Sequence, residues 1–440
     1  MLGVFWHPAC ERHCIKDHPE QPARVLGILD ALRKEWPPDV FREVSSPAKD
    51  EQLLLFHTPA HVRKFNEKAD LCEQNPGRVV PYDSDTNVMR HSRSAAYFAA
   101  GAMVEAVDAV YRPLNDPKRL TTVFCCVRPP GHHAERNAAM GFCFFSNAAI
   151  GAKYAQQKYG VGKVAVLDFD VHHGNGTEEG FLPDETLFYG STHEKDNYPG
   201  TGREPKPEHK LLPVNRRIVN RYLDTRHRLS TREQFRIKWR QVVDEMVLFQ
   251  PDLVIFSAGF DAHDEDPLAS CELVEEDFTW ATDIVLEACV LINPAQPPPC
   301  LSILEGGYDI PALAASAVAH VAALAKGYPV EVSKPKTVSP PCMPDEPRAV
   351  ELASQGSSTS TPTSPATQKW APGDEAAALA AYLAELDLGP LPPPAAATAA
   401  AAVADAAPAT SASTTTAPPA PAPADKPDGE HTTEPEKPQP

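Results

Sequence analysis

Two hydrophobic periods take turns along the first three-quarters of this chain. Short apolar runs rich in β-branched residues, the signature of buried strands, alternate with longer stretches in which apolar positions recur every three or four residues, as on one helix face. The strand-type runs are Leu2 to Trp6, Thr121 to Val127, the run that opens at Val164, Thr186 to Gly190, Leu253 to Ser257 and Leu301 to Leu304. Helical periodicity covers Glu20 to Trp36, Thr58 to Ala69, His91 to Tyr111, Asn147 to Tyr159, Ser230-Thr231 to about Phe249, and Glu275 to Leu291. Thr58-Pro59 and Ser230-Thr231 are N-terminal capping signals. Strands that alternate with long helices imply βαβ units and a parallel sheet, hence an α/β fold.

In such a sheet ligands bind beyond the carboxyl ends of the strands, and it is the strand endings that differ here. Thr121 to Val127 runs into Arg128-Pro129-Pro130-Gly131, whose prolines stop the strand and present His132 and His133 from a rigid loop. The Val164 run delivers Asp168, Asp170, His172, His173 and Asn175 before a glycine. The three later strands end in Ser191-Thr192-His193, in AGFDAHDEDP with Asp261 and His263, and in EGGYD with Tyr308. Carboxylates where a buried strand leaves its sheet must be paired or bind a cation, because desolvating them unpaired costs several kcal/mol. Asp170 and His172, two residues apart, share one side of an extended backbone. With Asp261 they supply two carboxylates and one imidazole, a zinc donor set with a position left open. The plainer alternative is a solvated turn at each strand end. Tyr308, after two glycines at the same edge, reads as a functional hydroxyl.

Composition divides the chain. Almost half of the 47 prolines follow Val330, where Ala, Ser and Thr dominate and aromatic residues nearly vanish. Residues 1–330 therefore read as one catalytic domain and 331–440 as a disordered tail, with a possible short acidic docking helix at 374–388. A net charge of -18 opposes direct nucleic-acid binding, although it suits a cationic protein substrate. Ten cysteines without a framework spacing point to a reducing compartment, and no apolar window approaches a membrane span. These features predict a soluble intracellular protein of cytoplasm, nucleus or an organelle. His7, Cys10, Cys14 and His18 have spacings that could hold a second, structural zinc.

RPPGHHA, GFCFFSNAA, VLDFDVHHGNGT, YPGTG, SAGFDAH and EGGYD occur in that order, and over Gly3 to Gly327 the chain resembles the zinc-dependent histone deacetylases of the class II type. The resemblance implies an arginase-like single domain, a central parallel sheet of about eight strands flanked by helices, and hydrolysis of the acyl amide of N6-acetyl-lysine in histones or other proteins. It makes Asp170, His172 and Asp261 the ligands of one zinc per chain. His132 and His133 match the tandem histidines, with Asp168 oriented to His132 and Asn175 to His133, and Tyr308 matches the oxyanion donor. Phe142 and Tyr198 match the aromatic walls of an acyl-lysine tunnel, Leu268 its rim, and Gly141 the carbonyl that receives the substrate amide. Structural potassium is implied at Asp168, Asp170, His172, Ser191 and Thr192, and a second at Phe181, Asp184 and Leu187.

Three departures bear on this. Asn175 is neutral where class I members carry an acid, Tyr198 stands where phenylalanine is commoner, and the basic segment Asn215 to Arg228 lacks the expected glycine-rich turn. Competing readings are an acetylpolyamine or other small-molecule amidohydrolase, a two-metal hydrolase of the arginase kind, and an idle acetyl-lysine binder.

Overall fold

In the computed structural model the described residues are 1–203 and 217–328. The tail and its possible helix at 374–388 lie outside them. The first half holds β1 (Leu2–Trp6), α1 (Ala23–Glu35), β2 (Phe41–Glu43), α2 (Asp50–Leu53), α3 (Pro59–Gln74), β3 (Val80–Pro81), β4 (Asn87–Val88), α4 (Ser92–Val110) and β5 (Thr122–Cys125). Then come α5 (Asn147–Tyr159), β6 (Val164–Asp168), α6 (Asn175–Phe181), β7 (Leu187–Glu194) and β8 (Ile218–Leu223). The domain closes with α7 (Thr231–Phe249), β9 (Leu253–Ala258), α8 (Glu275–Ile292), β10 (Cys300–Leu304) and α9 (Ile310–Lys326).

Eight strands form one sheet in the order β2-β1-β5-β10-β9-β6-β7-β8, and every pairing is parallel. A parallel sheet needs cover on both faces, and the strand sequences provide for it. Val123 and Cys125 of β5 face the layer of α3, α4 and α5, while Phe124 faces the layer of α1, α7, α8 and α9. In β6, Val164 and Val166 face the first layer and Ala165 and Leu167 the second.

Caps fix where the helices start. Thr58 accepts the His61 amide at 3.2 Å ahead of α3, Ser230 and Glu233 form a reciprocal capping box on α7, and Asp309 accepts the Ala312 amide at 3.0 Å to start α9.

Several elements differ from the sequence reading. Ser191 and Thr192 lie inside β7, which continues to Glu194, because β8 pairs with it from Tyr189 onward. β8 itself, within the basic segment, is not predicted, and neither is α9, although Asp309, Pro311 and Gly327 mark its ends. The Asn175 turn opens α6.

Candidate active site

Five neighbours in the sheet, β5, β10, β9, β6 and β7, bring their carboxyl ends together. His132 Nδ1 lies 3.0 Å from Asp168 Oδ2, and His133 Nδ1 lies 2.9 Å from Asn175 Oδ1. Both partners are themselves held. The Asp168 carboxylate accepts the Tyr189 hydroxyl at 3.0 Å and the Asp170 amide at 3.1 Å, and the Asn175 amide donates to Glu135 Oε1 at 2.8 Å. With Nδ1 committed in each ring, Nε2 is the atom free for chemistry.

Asp170, His172 and Asp261 offer ligand atoms all within 4.8 Å of one another. β6 has ended by then, so extended phasing does not align Asp170 with His172. A turn does, in which Asp170 Oδ1 accepts the His172 amide at 2.8 Å. His172 Nδ1 stands 3.1 Å from Asp170 Oδ1 and 3.0 Å from Asp261 Oδ2. Ligands about 2.0 Å from a tetrahedral ion stand roughly 3.3 Å apart, so the set fits zinc. The other oxygens are occupied, Asp170 Oδ2 by the Gly306 amide at 2.7 Å and Asp261 Oδ1 by the Val171 amide at 2.9 Å. Glycine makes the cradle possible. A Cβ on Gly259 would stand 2.0 Å from Asp170 Oδ2, and one on Gly306 2.0 Å from Asp261 Oδ2.

The electrostatics ask for a cation. Burial resists every charge here, yet the Asp261 and Asp170 carboxylates push the His172 imidazole well above its ordinary value, and His132 and His172 hold Asp170 well below the carboxylate range. The tandem histidines separate. Burial would favour a neutral His132, but Asp170 and Asp168 push it up to about 10, whereas burial and the neighbouring imidazoles push His133 well down.

Among the described residues, Asp170, His172 and Asp261 are the one group of three or more His, Cys, Asp and Glu side chains able to share an ion. His7, Cys10, Cys14 and His18 do not gather. Cys10 is buried in the core while Cys14 is exposed, His7 stacks on Phe98, and His18 Nε2 meets the Asp85 carbonyl at 3.0 Å.

Above the triad is a cavity of about 240 Å³ lined by His133, Gly141, Phe142, His172, Tyr198, Leu268 and Tyr308, all of them singled out by sequence. Phe142 meets Tyr308 edge-on at 5.9 Å and Tyr198 meets His133 edge-on at 5.0 Å, so two aromatic walls face the slot. Gly141 and Phe142 both take positive φ, 55° and 68°, and the strained turn that results puts the Phe142 ring at the wall. Asp85 and Asn197 also line the cavity and escaped the sequence reading, because each sits in a polar loop without distinctive spacing.

Sequence reasoning also missed the supports. Glu305, fully buried, accepts the amides of Gly131 at 2.6 Å and His132 at 3.1 Å and the Ser257 hydroxyl at 3.0 Å, tying three strand ends together. Burial pushes its carboxyl up to about 7. Arg24 donates to the Gly307 carbonyl at 2.6 Å and lies 4.8 Å from the centre of the Tyr308 ring. Glu20 joins Arg24 at 3.1 Å and Arg128 at 2.5 Å, and all three are buried. Asp266 accepts the Tyr308 amide at 2.6 Å and the Leu268 amide at 3.0 Å. The acids of EGGYD and AGFDAHDEDP were visible in the sequence, but the Gly131 and His132 amides on Glu305 and the Tyr308 amide on Asp266 are long-range partners and were not. Of the positions linked to potassium, Ser191 Oγ lies 2.9 Å from His193 Nδ1, and the Thr192 hydroxyl is buried without a partner.

A profile of the Histone deacetylase domain matches residues 18–324. An uncharacterized protein of Synechocystis sp. is 38% identical over 72% of this chain and 97% of its own length. Histone deacetylase 14, chloroplastic, of Arabidopsis thaliana is 32% identical over 69% of this chain and 72% of its own. The solved HD domain of HDA15 superposes with a TM-score of 0.61 at 30% identity, covering 73% of this chain and 90% of that one.

Proposed function

The chain belongs to the histone deacetylase family and is a hydrolase that acts on amides, and from that premise we propose that it is a zinc-dependent protein lysine deacetylase with one zinc per chain. One observation carries the reading: a two-carboxylate, one-imidazole triad lies at an aromatic-walled slot that His133 and Tyr308 also line. Such a slot suits the apolar stem of a lysine side chain.

Asp170, His172 and Asp261 would hold the ion, which supplies Lewis acidity toward the acyl carbonyl and acidifies water at the site. His133, kept neutral by its surroundings, takes the proton from the attacking water. His132, whose Nδ1 lies 3.0 Å from the Asp168 carboxylate, is held in orientation beside the reacting centre. The imidazole pair then protonates the lysine amine as it leaves. Tyr308 donates its hydroxyl to the oxygen that becomes negative, a contribution of about 3 kcal/mol for one such donor. Its phenol keeps that proton, since burial pushes it well above its usual range. Gly141 receives the substrate amide N–H, and Phe142 and Tyr198 exclude water from the stem. Potassium as a structural ion at Asp168, Asp170, His172, Ser191 and Thr192 is supported by the orphaned Thr192 hydroxyl.

One observation favours an acetylpolyamine as the second reading: Asp85 brings a carboxylate into the lining of the slot, able to meet a second amine, although Leu268 at the rim offers none. Turnover of an acetyl-lysine peptide and of acetylspermidine, with and without a chelator, separates them. The lysine reading expects kcat/KM for the peptide to exceed that for acetylspermidine by tenfold or more, chelator-sensitive and lost in Tyr308→Phe. The reverse ranking would overturn it.

A further inference from the structure

The connection from α6 to β7 holds the positions matched to a second potassium, Phe181, Asp184 and Leu187, and it is already occupied by charge. Arg217 Nη1 donates to the Asp184 carbonyl and meets the Leu187 carbonyl at 3.5 Å. The Arg217 carbonyl in turn accepts the Tyr189 amide at 2.7 Å, which fixes the residue at the start of β8. The Phe181 carbonyl is used within the turn, accepting the Asp184 amide at 3.0 Å. A second cation is close by. The Lys153 ammonium sits on the Asp184 carboxylate, which also accepts the Thr186 amide at 2.9 Å. Burial opposes that carboxylate's charge, but the Lys153 and Thr186 hydrogen bonds hold it down at about 2.

A guanidinium never loses its charge and directs its donors in a plane. An alkali ion at these carbonyls would have to displace those hydrogen bonds and then share the space with a like charge. The residues present do not fit a second potassium ion. We propose that Arg217 is a built-in replacement for that ion, its guanidinium serving the Asp184 and Leu187 carbonyls. The connection is then held without an alkali ion at this place. It leads from α6, which begins at Asn175, to β7, which carries Ser191 and Thr192. The inference does not depend on zinc or on the identity of the acyl substrate.

The test uses the full chain, dialysed into tetramethylammonium chloride and titrated with KCl at constant ionic strength, together with crystals grown in RbCl. Wild-type crystals should give no anomalous rubidium peak at the Asp184 and Leu187 carbonyls. Arg217→Ala should unfold at a lower temperature without potassium, and should gain about 3 °C more than the wild type when KCl is added. A rubidium ion at those carbonyls in the wild type would overturn the proposal. Superimposable KCl responses of wild type and variant would do the same. If Arg217→Ala does not fold, the wild-type rubidium map decides alone.

Discussion

Gly306→Ala probes the ion cradle without altering any polar group. The added Cβ would lie 2.0 Å from Asp261 Oδ2 and 2.6 Å from Asp170 Oδ2, where a carbon–oxygen contact needs about 3.4 Å. Neither carboxylate has an easy retreat, because Asp170 is held by the Gly306 amide and Asp261 by the Val171 amide. The strain must therefore be met by a shift of about 1 Å in one or both ligands. A displacement of that size costs on the order of 100-fold in rate, and disturbed ligand support costs about 10- to 100-fold in metal affinity. Overpacking also lowers stability, by roughly 1–3 kcal/mol. Gly3→Ala is the matched control. Its Cβ would meet Leu120 Cδ1 at 2.5 Å, so it overpacks β1 without touching the triad. The assay is zinc affinity by chelator competition alongside kcat/KM on an acetyl-lysine peptide. Gly306→Ala should lose both and Gly3→Ala should lose only stability. Wild-type zinc affinity and turnover within threefold in Gly306→Ala would refute the cradle.

Tyr308→Phe should lower kcat by about 100-fold or more and leave zinc content unchanged, as expected for an oxyanion donor; zinc analysis and steady-state kinetics check both. Glu305→Ala leaves two buried amides without their acceptor, which costs about 1–3 kcal/mol each, whereas Glu305→Gln keeps an acceptor and should retain most stability and kcat, read by urea unfolding and turnover. The Glu20 carboxyl is held at about 2 by Arg128 and Arg24 although burial opposes it. Because that folded value lies below the ordinary 4.5, Glu20 contributes about 3 kcal/mol above pH 4.5, lost as pH falls toward 2. Urea unfolding against pH should accordingly show a shallower acid limb in Glu20→Gln, on a lower plateau at pH 7. Deleting residues beyond Lys334 should leave kcat and KM unchanged, since the family match ends at 324 and α9 at Lys326.

The sheet and most helices could be read from the sequence because their signals are local: a capping box at Ser230 and Glu233, Thr58-Pro59 ahead of α3, a glycine at 160 ending α5. The reactive side chains were legible for a different reason. His132-His133, the Asp168 to Asn175 group, Asp261 and Tyr308 each follow an apolar run directly, and a parallel sheet gathers such endings. Their supports follow no such rule. Glu305 joins Gly131 across 174 residues, and Arg24 reaches Gly307 across 283. Nothing near Asp85 marks it as lining the slot, which the fold assembles from several loops. β8 escaped because its apolar positions are interrupted by Asn220 and Arg221, and pairing with β7 rather than composition makes it a strand.

Everything proposed for the chemistry depends on three side chains from two strand endings, Asp170, His172 and Asp261, gripping one divalent ion. Metal analysis of the purified full chain after zinc loading and gel filtration, for wild type and His172→Ala, tests it most directly. Wild type should carry one zinc per chain and show amide hydrolysis that follows the zinc content, with both nearly abolished in His172→Ala while the unfolding transition persists. A wild-type protein that hydrolyses acyl amides without zinc, or a His172→Ala variant that retains its full complement of the ion, would contradict it.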